Sequence, residues 1–363
     1  MLKKIKILLI ILISCLLSLY LFELYLNVKS DTTSRLLYYQ DKKKDENVVL
    51  WIPSKKINNV QILGSVSNSL TILCNENGYM STYLSDRFGF NNPDKVWDEK
   101  TFDYALIGDS FVQGACVDRP YDIASIIREK YNKSVLNLGV GSIGGYKKLA
   151  IVKEYLPKKV KNVIWFYYEG NDLNDLIYSN NILNEYLIND NFTQNLKLKQ
   201  KYLDKLLIDH FQKKLNDLKT IKRDFDIKNF VIQFLKLYKS RVLFFGDQNT
   251  FPQPEYYDYS RELVIFKKII KKAYIASQKI NVKFYFVYLP EFSRYKKNYK
   301  NDNFDNIKKI INELEIPLID IHSLLFKKQK NPLIFFPNQN YGHYNEIGYR
   351  EIARTVFKYV DKN

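Results

Sequence analysis

At 363 residues the chain has room for one large domain or two modest ones and ample material for a core. Lys plus Arg number 56 against 39 Asp plus Glu, a formal +17, but the excess is Lys scattered among Asn, Ile and Tyr. No compact run alternates basic and aromatic residues, so no nucleic-acid partner is expected and the charge reads as a solvated Lys-rich surface, with attraction to anionic lipid or an acidic polymer as the alternative.

In chain order, residues 1–28 are expected to form a transmembrane signal anchor. Lys3, Lys4 and Lys6 precede an uncharged run from Ile7 to Phe22, and Leu24, Tyr25 and Leu26 extend it past Glu23. The span is placed at residues 7–26, with Tyr20 and Tyr25 at the interface and Lys6 snorkelling. Its sixteen uncharged residues fall slightly short of the roughly 20 that cross a bilayer. No small-x-small cleavage site follows, which favours an uncleaved anchor over a removed signal peptide. The tripeptide before Cys15 has the look of a lipoprotein processing box, but the apolar run continues well beyond it. A Lys-rich head keeps the N-terminus cytoplasmic, giving a single pass through the inner membrane with the rest periplasmic or extracytoplasmic, although Lys42, Lys43 and Lys44 weaken the asymmetry. The cysteines Cys15, Cys74 and Cys116 have no metal-ligand spacing, so neither metal nor cofactor is expected. Whether Cys74 and Cys116 pair is open.

Residues 29–100 read as an extended, β-rich leading segment without chemistry of its own, with β-like runs at Val48–Ile52 and Ser69–Leu73. From Tyr104 the pattern alternates. Strands are expected at Tyr104–Ile107, Val135–Leu138, Val163–Tyr168, Lys283–Leu289 and Pro317–Ile319. Helices are expected at Ile123–Tyr131, Lys147–Tyr155, Arg261–Ser277, Phe304–Glu313 and Glu346–Val360. Such alternation predicts a doubly wound parallel sheet, here a three-layer α/β/α sandwich of about five strands over residues 101–363. A helical insertion interrupts it at about 180–255, marked by Leu196, Tyr202, Leu203, Leu206, Leu207, Phe211, Leu215 and Leu218 at helical spacing. It reads as a cap or arm, a coiled-coil surface being the alternative, and Phe251 to Pro254 is expected to end it.

The first strand of this alternation breaks at Gly108-Asp109-Ser110, with Gly114 following. A serine lifted to the carboxyl edge of a parallel sheet is chemically dull unless a base and oxyanion donors join it. The second strand ends in a glycine-rich turn, Asn137 to Gly145, which can aim N–H groups at an oxyanion. Its Gly139-x-Gly141-x-x-Gly144 also fits a dinucleotide loop, but no acidic residue closes a ribose site about 20 residues on. The third ends in Glu169-Gly170-Asn171-Asp172, where Asn171 can donate its amide. Of three histidines, His210 lies in the insertion, His322 follows the fifth strand, and His343 precedes the last helix with Asn345 as N-cap.

That order of residues resembles the SGNH (GDSL-like) hydrolase superfamily over about residues 104–175 and 335–358. The resemblance implies a flavodoxin-like sheet, Ser110 as nucleophile, His343 as general base, and an oxyanion hole from the N–H groups of Ser110 and Ser142 and the amide of Asn171. Counting from Asn137 puts Ser142 where the family carries a glycine, with Gly141 as the competing register. Glu169 also stands where the family has glycine. The family's aspartate three residues before the histidine is Asn340 here, so the group orienting His343 is open among Asn340, a backbone carbonyl, Glu346 and Asp320. Asp109 and Asp172 are read as tying their turns. The implied function is hydrolysis of O-acyl, chiefly O-acetyl, esters of an envelope carbohydrate through a Ser-His acyl-enzyme. The alternatives are an O-acetyltransferase on a surface polysaccharide and a catalytically inactive binding or assembly protein.

Overall fold

The chain begins with one long apolar helix, α1 (Leu2–Val28), whose large apolar side chains from Ile7 to Leu24 face outward. Within it Lys3–Asn27, with an 18-residue window of mean hydropathy 2.6, is long and apolar enough to cross a membrane. The computed structural model describes residues 2–28, 31–44, 47–221, 227–245, 258–297, 299, 301 and 303–362. After α2 (Asp31–Lys42) come five short strands: β1 (Val48–Leu50), β2 (Leu70–Ile72) and β3 (Thr82–Leu84) form one sheet, and Lys56–Ile57 pairs with Val60–Gln61 in a small antiparallel hairpin. β1 runs parallel to β2 and β3 antiparallel to it. This leading sheet is fastened to the central sheet and its helices. Val49, Ile62 and Phe90 share one apolar cluster with Leu136, Leu149 and Tyr155. Asn92 pairs with the backbone of Asn137 like an added strand residue, donating to its carbonyl (2.8 Å) and accepting its N–H (2.9 Å).

The central sheet is β4 (Phe102–Ile107), β5 (Val135–Asn137), β6 (Val160–Tyr168), β7 (Lys283–Leu289) and β8 (Leu318–Asp320). Every pair is parallel and the spatial order is β8-β7-β6-β4-β5, which is the 2-1-3-4-5 order of flavodoxin-like sheets. The connecting helices are α3 (Ser110–Gln113), α4 (Ile123–Tyr131), α5 (Gly145–Tyr155), α6 (Asn181–Ile188), α7 (Gln200–Ile221), α8 (Ile227–Leu235), α9 (Tyr238–Phe245), α10 (Ser260–Gln278), α11 (Asn303–Glu313), α12 (Ile321–Leu324) and α13 (Glu346–Lys362). Because side chains alternate across a strand, Ala105, Ile107, Val163 and Trp165 pack with α5 and α10 on one face. Leu106, Ile164, Phe166 and Val287 pack with α4 and α13 on the other. The result is the expected α/β/α sandwich, and each expected strand and helix of residues 104–360 is present with its ends displaced by no more than three residues.

Helix α7 of the insertion is packed down on the main core instead of standing out as an arm. Leu203, Leu207 and Phe211 of α7 are buried in the main core, while Tyr202 is exposed. Asp204 accepts both the N–H (2.9 Å) and the hydroxyl (2.7 Å) of Ser67, so α7 braces the leading sheet. The side chain of Leu218 and the expected end at Phe251 to Pro254 lie outside the described residues.

Candidate active site

β4 stops where the chain must turn sharply. A Cβ on Gly108 would sit 2.2 Å from Val112 Cγ2, so the turn tolerates no side chain there. Asp109 caps α3 by accepting the N–H of Phe111 (3.0 Å), and Gly114 ends it in the left-handed region at φ +83°. Ser110 therefore stands at the first position of a one-turn helix at the carboxyl edge of the sheet. Its Oγ lies 2.9 Å from His343 Nε2.

His343 arrives from the loop before α13. Asn345 shapes that loop: its Oδ1 accepts the N–H of Gly348 (2.9 Å) and its Nδ2 donates to the carbonyls of Ile334 (2.8 Å) and Phe336 (3.1 Å). Phe111 packs beside the imidazole, ring centroids 4.8 Å apart. The other ring nitrogen, Nδ1, faces the Glu76 carboxylate at 3.0 and 3.1 Å, and Glu76 Oε2 also accepts the backbone N–H of His343 (2.6 Å). Glu76, His343 and Ser110 thus form one hydrogen-bonded chain. Burial pushes the imidazole toward its neutral form, but the Glu76 hydrogen bond and charge, with a smaller pull from Asp109, outweigh it and raise the His343 pKa. Burial likewise pushes Glu76 upward, and the bonds and charge of His343 more than offset it, so Glu76 titrates below the usual carboxylate range.

The group facing Nδ1 is a correction to the sequence reading. Asn340 is exposed, and its N–H donates to the carbonyl of Pro337 (2.9 Å). Asp320 instead caps α12 through Ser323, and Glu346 accepts the hydroxyl of Tyr79 (2.9 Å). Glu76 comes from the leading segment that was expected to carry no chemistry. One signal pointed there: Cys74, two residues before it, is disulfide-bonded to Cys116, just past α3, with Cα atoms 5.0 Å apart. Cys74, Glu76, Cys116 and His343 offer ligand atoms within 4.8 Å of one another. As a metal set they fit poorly, since the disulfide removes both thiolates and the remaining two groups bond each other.

Gly141 N–H is engaged by Gln113 Oε1 (2.9 Å), whereas no acceptor for Ser142 N–H is found among the described residues. Ser142 holds the left-handed conformation (φ +55°) that glycine adopts without cost. Asn171 follows β6 and keeps a buried Oδ1 that accepts no hydrogen bond. The two loops touch, for a Cβ on Gly144 would meet Asp175 Cβ at 2.4 Å. Between them lies a pocket of about 180 Å³ lined by Ser142, Gly144, Tyr146, Lys147, Asp175 and Tyr178. Burial and the nearby charge of Asp109 push Asp175 up to about 6.

Asp172 accepts from Lys148 Nζ (2.7 and 2.5 Å) and from Tyr168 N–H (3.0 Å), tying α5 to the end of β6. The Glu169 side chain, fully buried, accepts from Tyr288 Oη (2.8 Å), Glu291 N–H (3.0 Å) and Arg294 Nε (2.8 Å). The other histidines stand apart from this constellation: His210 Nε2 is 2.9 Å from Lys55 Nζ, and His322 Nδ1 is 3.0 Å from the Tyr295 hydroxyl.

No protein-family model matches the chain, and no curated protein matches it. Several solved structures are similar to it at low identity. An acetyl xylan esterase has a TM-score of 0.40 and 13% identity, over 71% of this chain and 99% of that one. A lipase/acylhydrolase from Enterococcus faecalis has a TM-score of 0.39 and 10% identity, over 72% and 95%. A member of the lipolytic G-D-S-L family from Veillonella parvula has a TM-score of 0.39 and 12% identity, over 70% and 96%.

Proposed function

We propose that the chain is a serine ester hydrolase in which Ser110 attacks an acyl carbonyl, His343 takes its proton, and Glu76 orients and stabilises the imidazolium. The observation that carries this reading is the Glu76–His343–Ser110 chain, with 2.9 Å between Ser110 Oγ and His343 Nε2. Nucleophile, base and orienting acid within hydrogen-bond reach are what acyl transfer by a serine requires. The tetrahedral oxyanion would be held by Ser110 N–H, Ser142 N–H and the Asn171 amide, each such donor worth about 3 kcal/mol in the transition state. His343 then returns the proton to the departing alkoxide, and water cleaves the acyl-enzyme by the same steps reversed.

We assign the substrate to O-acyl esters of carbohydrate, chiefly O-acetyl. The pocket beside Ser142 supports a sugar, because Tyr146, Tyr178, Lys147 and Asp175 give it an aromatic and polar lining. Residues 7–26 would tether the protein to the inner membrane with the catalytic edge outside. The Cys74–Cys116 disulfide supports that side, because such bonds persist in oxidising compartments. Acetate release from p-nitrophenyl acetate and from acetylated glycans tests the assignment in wild type, Ser110→Ala and His343→Ala. Both variants should fall to the blank; equal rates in all three remove the reading.

A further inference from the structure

Helices α8 and α9 take no part in the site. They form a hairpin that turns at Leu237 (φ +47°) and packs on the far end of α1. Glu23 of α1 is fully buried in that contact. Its Oε1 accepts the N–H of Lys239 (2.8 Å), and its Oε2 accepts the N–H (2.7 Å) and hydroxyl (2.6 Å) of Ser240. A carboxylate on an apolar helix is costly unless donors surround it. Here the donors include the otherwise open first-turn amides of α9, so each element satisfies a polar group of the other. Tyr20 adds a second tie, donating to the Leu235 carbonyl (3.1 Å) with its ring 5.4 Å from that of Phe234.

Depth along α1 fixes where this hairpin sits. At about 1.5 Å per residue, Glu23 lies about 24 Å beyond Ile7, close to the far edge of a hydrocarbon core about 30 Å thick. At that level the hairpin exposes Val231, Ile232, Leu235 and Leu243, with Leu235 60% exposed, and carries exposed Lys236 and Arg241 beside them. Apolar side chains flanked by cations, continuous with a bilayer-crossing helix, match the boundary between acyl chains and anionic headgroups.

We propose that α8–α9 is a membrane-docking hairpin lying in the headgroup layer of the leaflet where α1 emerges. The proposal rests on reading α1 as a bilayer-spanning anchor and is independent of the ester chemistry. It also accounts for Glu23 interrupting the apolar run, since the hairpin supplies that carboxylate with protein donors in place of water.

The test uses the full chain with Cys15→Ser, reconstituted into vesicles of phosphatidylcholine and phosphatidylglycerol. Single cysteines are introduced by Leu235→Cys and Leu243→Cys, by Ile10→Cys as a mid-span reference, and by Leu198→Cys, at an 87% exposed site, as an aqueous reference. Each is labelled with a nitroxide, and its collision rates with oxygen and with a water-soluble nickel chelate are compared. The labels at 235 and 243 should show an oxygen-to-chelate ratio several-fold above that at 198 and below that at 10. Values at 235 and 243 equal to 198, with position 10 in lipid, overturn the hairpin and spare the anchor. An aqueous reading at position 10 overturns both. Protection of 235 and 243 from both reagents would mean a protein covers the hairpin, and overturns the lipid assignment.

Discussion

Substituting Glu76 by Gln removes one charge and turns one of two acceptor oxygens into an amide donor. The carboxylate oxygens lie 3.0 and 3.1 Å from His343 Nδ1, and both side chains are less than a third exposed. With charge centres about 4 Å apart and an effective dielectric of about 20, the attraction to an imidazolium is about 4 kcal/mol. That imidazolium exists only once Ser110 has given up its proton, so the energy is lost from the transition state, a fall of about 10³-fold in kcat. The direction agrees with the ~10⁴ loss when a serine-protease triad aspartate becomes asparagine. The pH profile provides a second readout. His343 must be neutral to accept the proton, and its raised pKa places the acid limb of kcat/KM above the ordinary imidazole value of about 6.5. Glu76→Gln removes the causes that raise it most and leaves burial, which lowers it, so the limb moves to lower pH as the rate falls. Initial rates of p-nitrophenyl acetate hydrolysis across the neutral range measure both. A variant within about threefold of wild-type kcat, with an unmoved limb, would refute the role given to Glu76.

Three further outcomes are expected. Ser142→Gly keeps the backbone N–H and removes a left-handed strain of about 1 kcal/mol, so thermal stability should rise with kcat unchanged; a large loss of rate would mean that the hydroxyl matters. Glu169→Ala strips the half-buried guanidinium of Arg294 of its fully buried carboxylate partner and should cost about 3 kcal/mol in urea unfolding, an outcome contradicted by an unshifted midpoint. The paired substitution Cys74→Ser with Cys116→Ser opens a loop of 42-residue separation and should cost about 4 kcal/mol by the chain-entropy relation. It should also slow acyl transfer by loosening Glu76; a rate equal to wild type in the folded variant would show that Glu76 needs no such tie.

The sheet was legible because its strands announce themselves. Tyr104–Ile107 and Val163–Tyr168 are apolar on both faces, a pattern that fits only a strand covered on both sides. The turns that bring Ser110 and His343 together were legible through their neighbours, Gly108 and Gly114 for one and the Asn345 cap for the other. Glu76 was hidden because its segment shows only short β runs and no local pattern ties it to His343; the contact is made where the leading segment, joined to the chain past α3 by the Cys74–Cys116 bond, folds back on the site. The contact that sets Gly141 apart from Ser142, the buried Gln113 side chain reaching Gly141 N–H, is one that sequence cannot show. The insertion's amphipathic spacing gave the α7 helix but not its destination, because an apolar stripe does not say which surface covers it.

Labelling by a fluorophosphonate tests the central claim most directly, because the probe phosphonylates a serine hydroxyl only when a base activates it. The account predicts one adduct, mapped by mass spectrometry to Ser110, forming at a rate that rises with pH as His343 deprotonates and collapsing in His343→Ala. A folded wild-type protein that takes up no label on Ser110, or labels equally fast in His343→Ala, contradicts it.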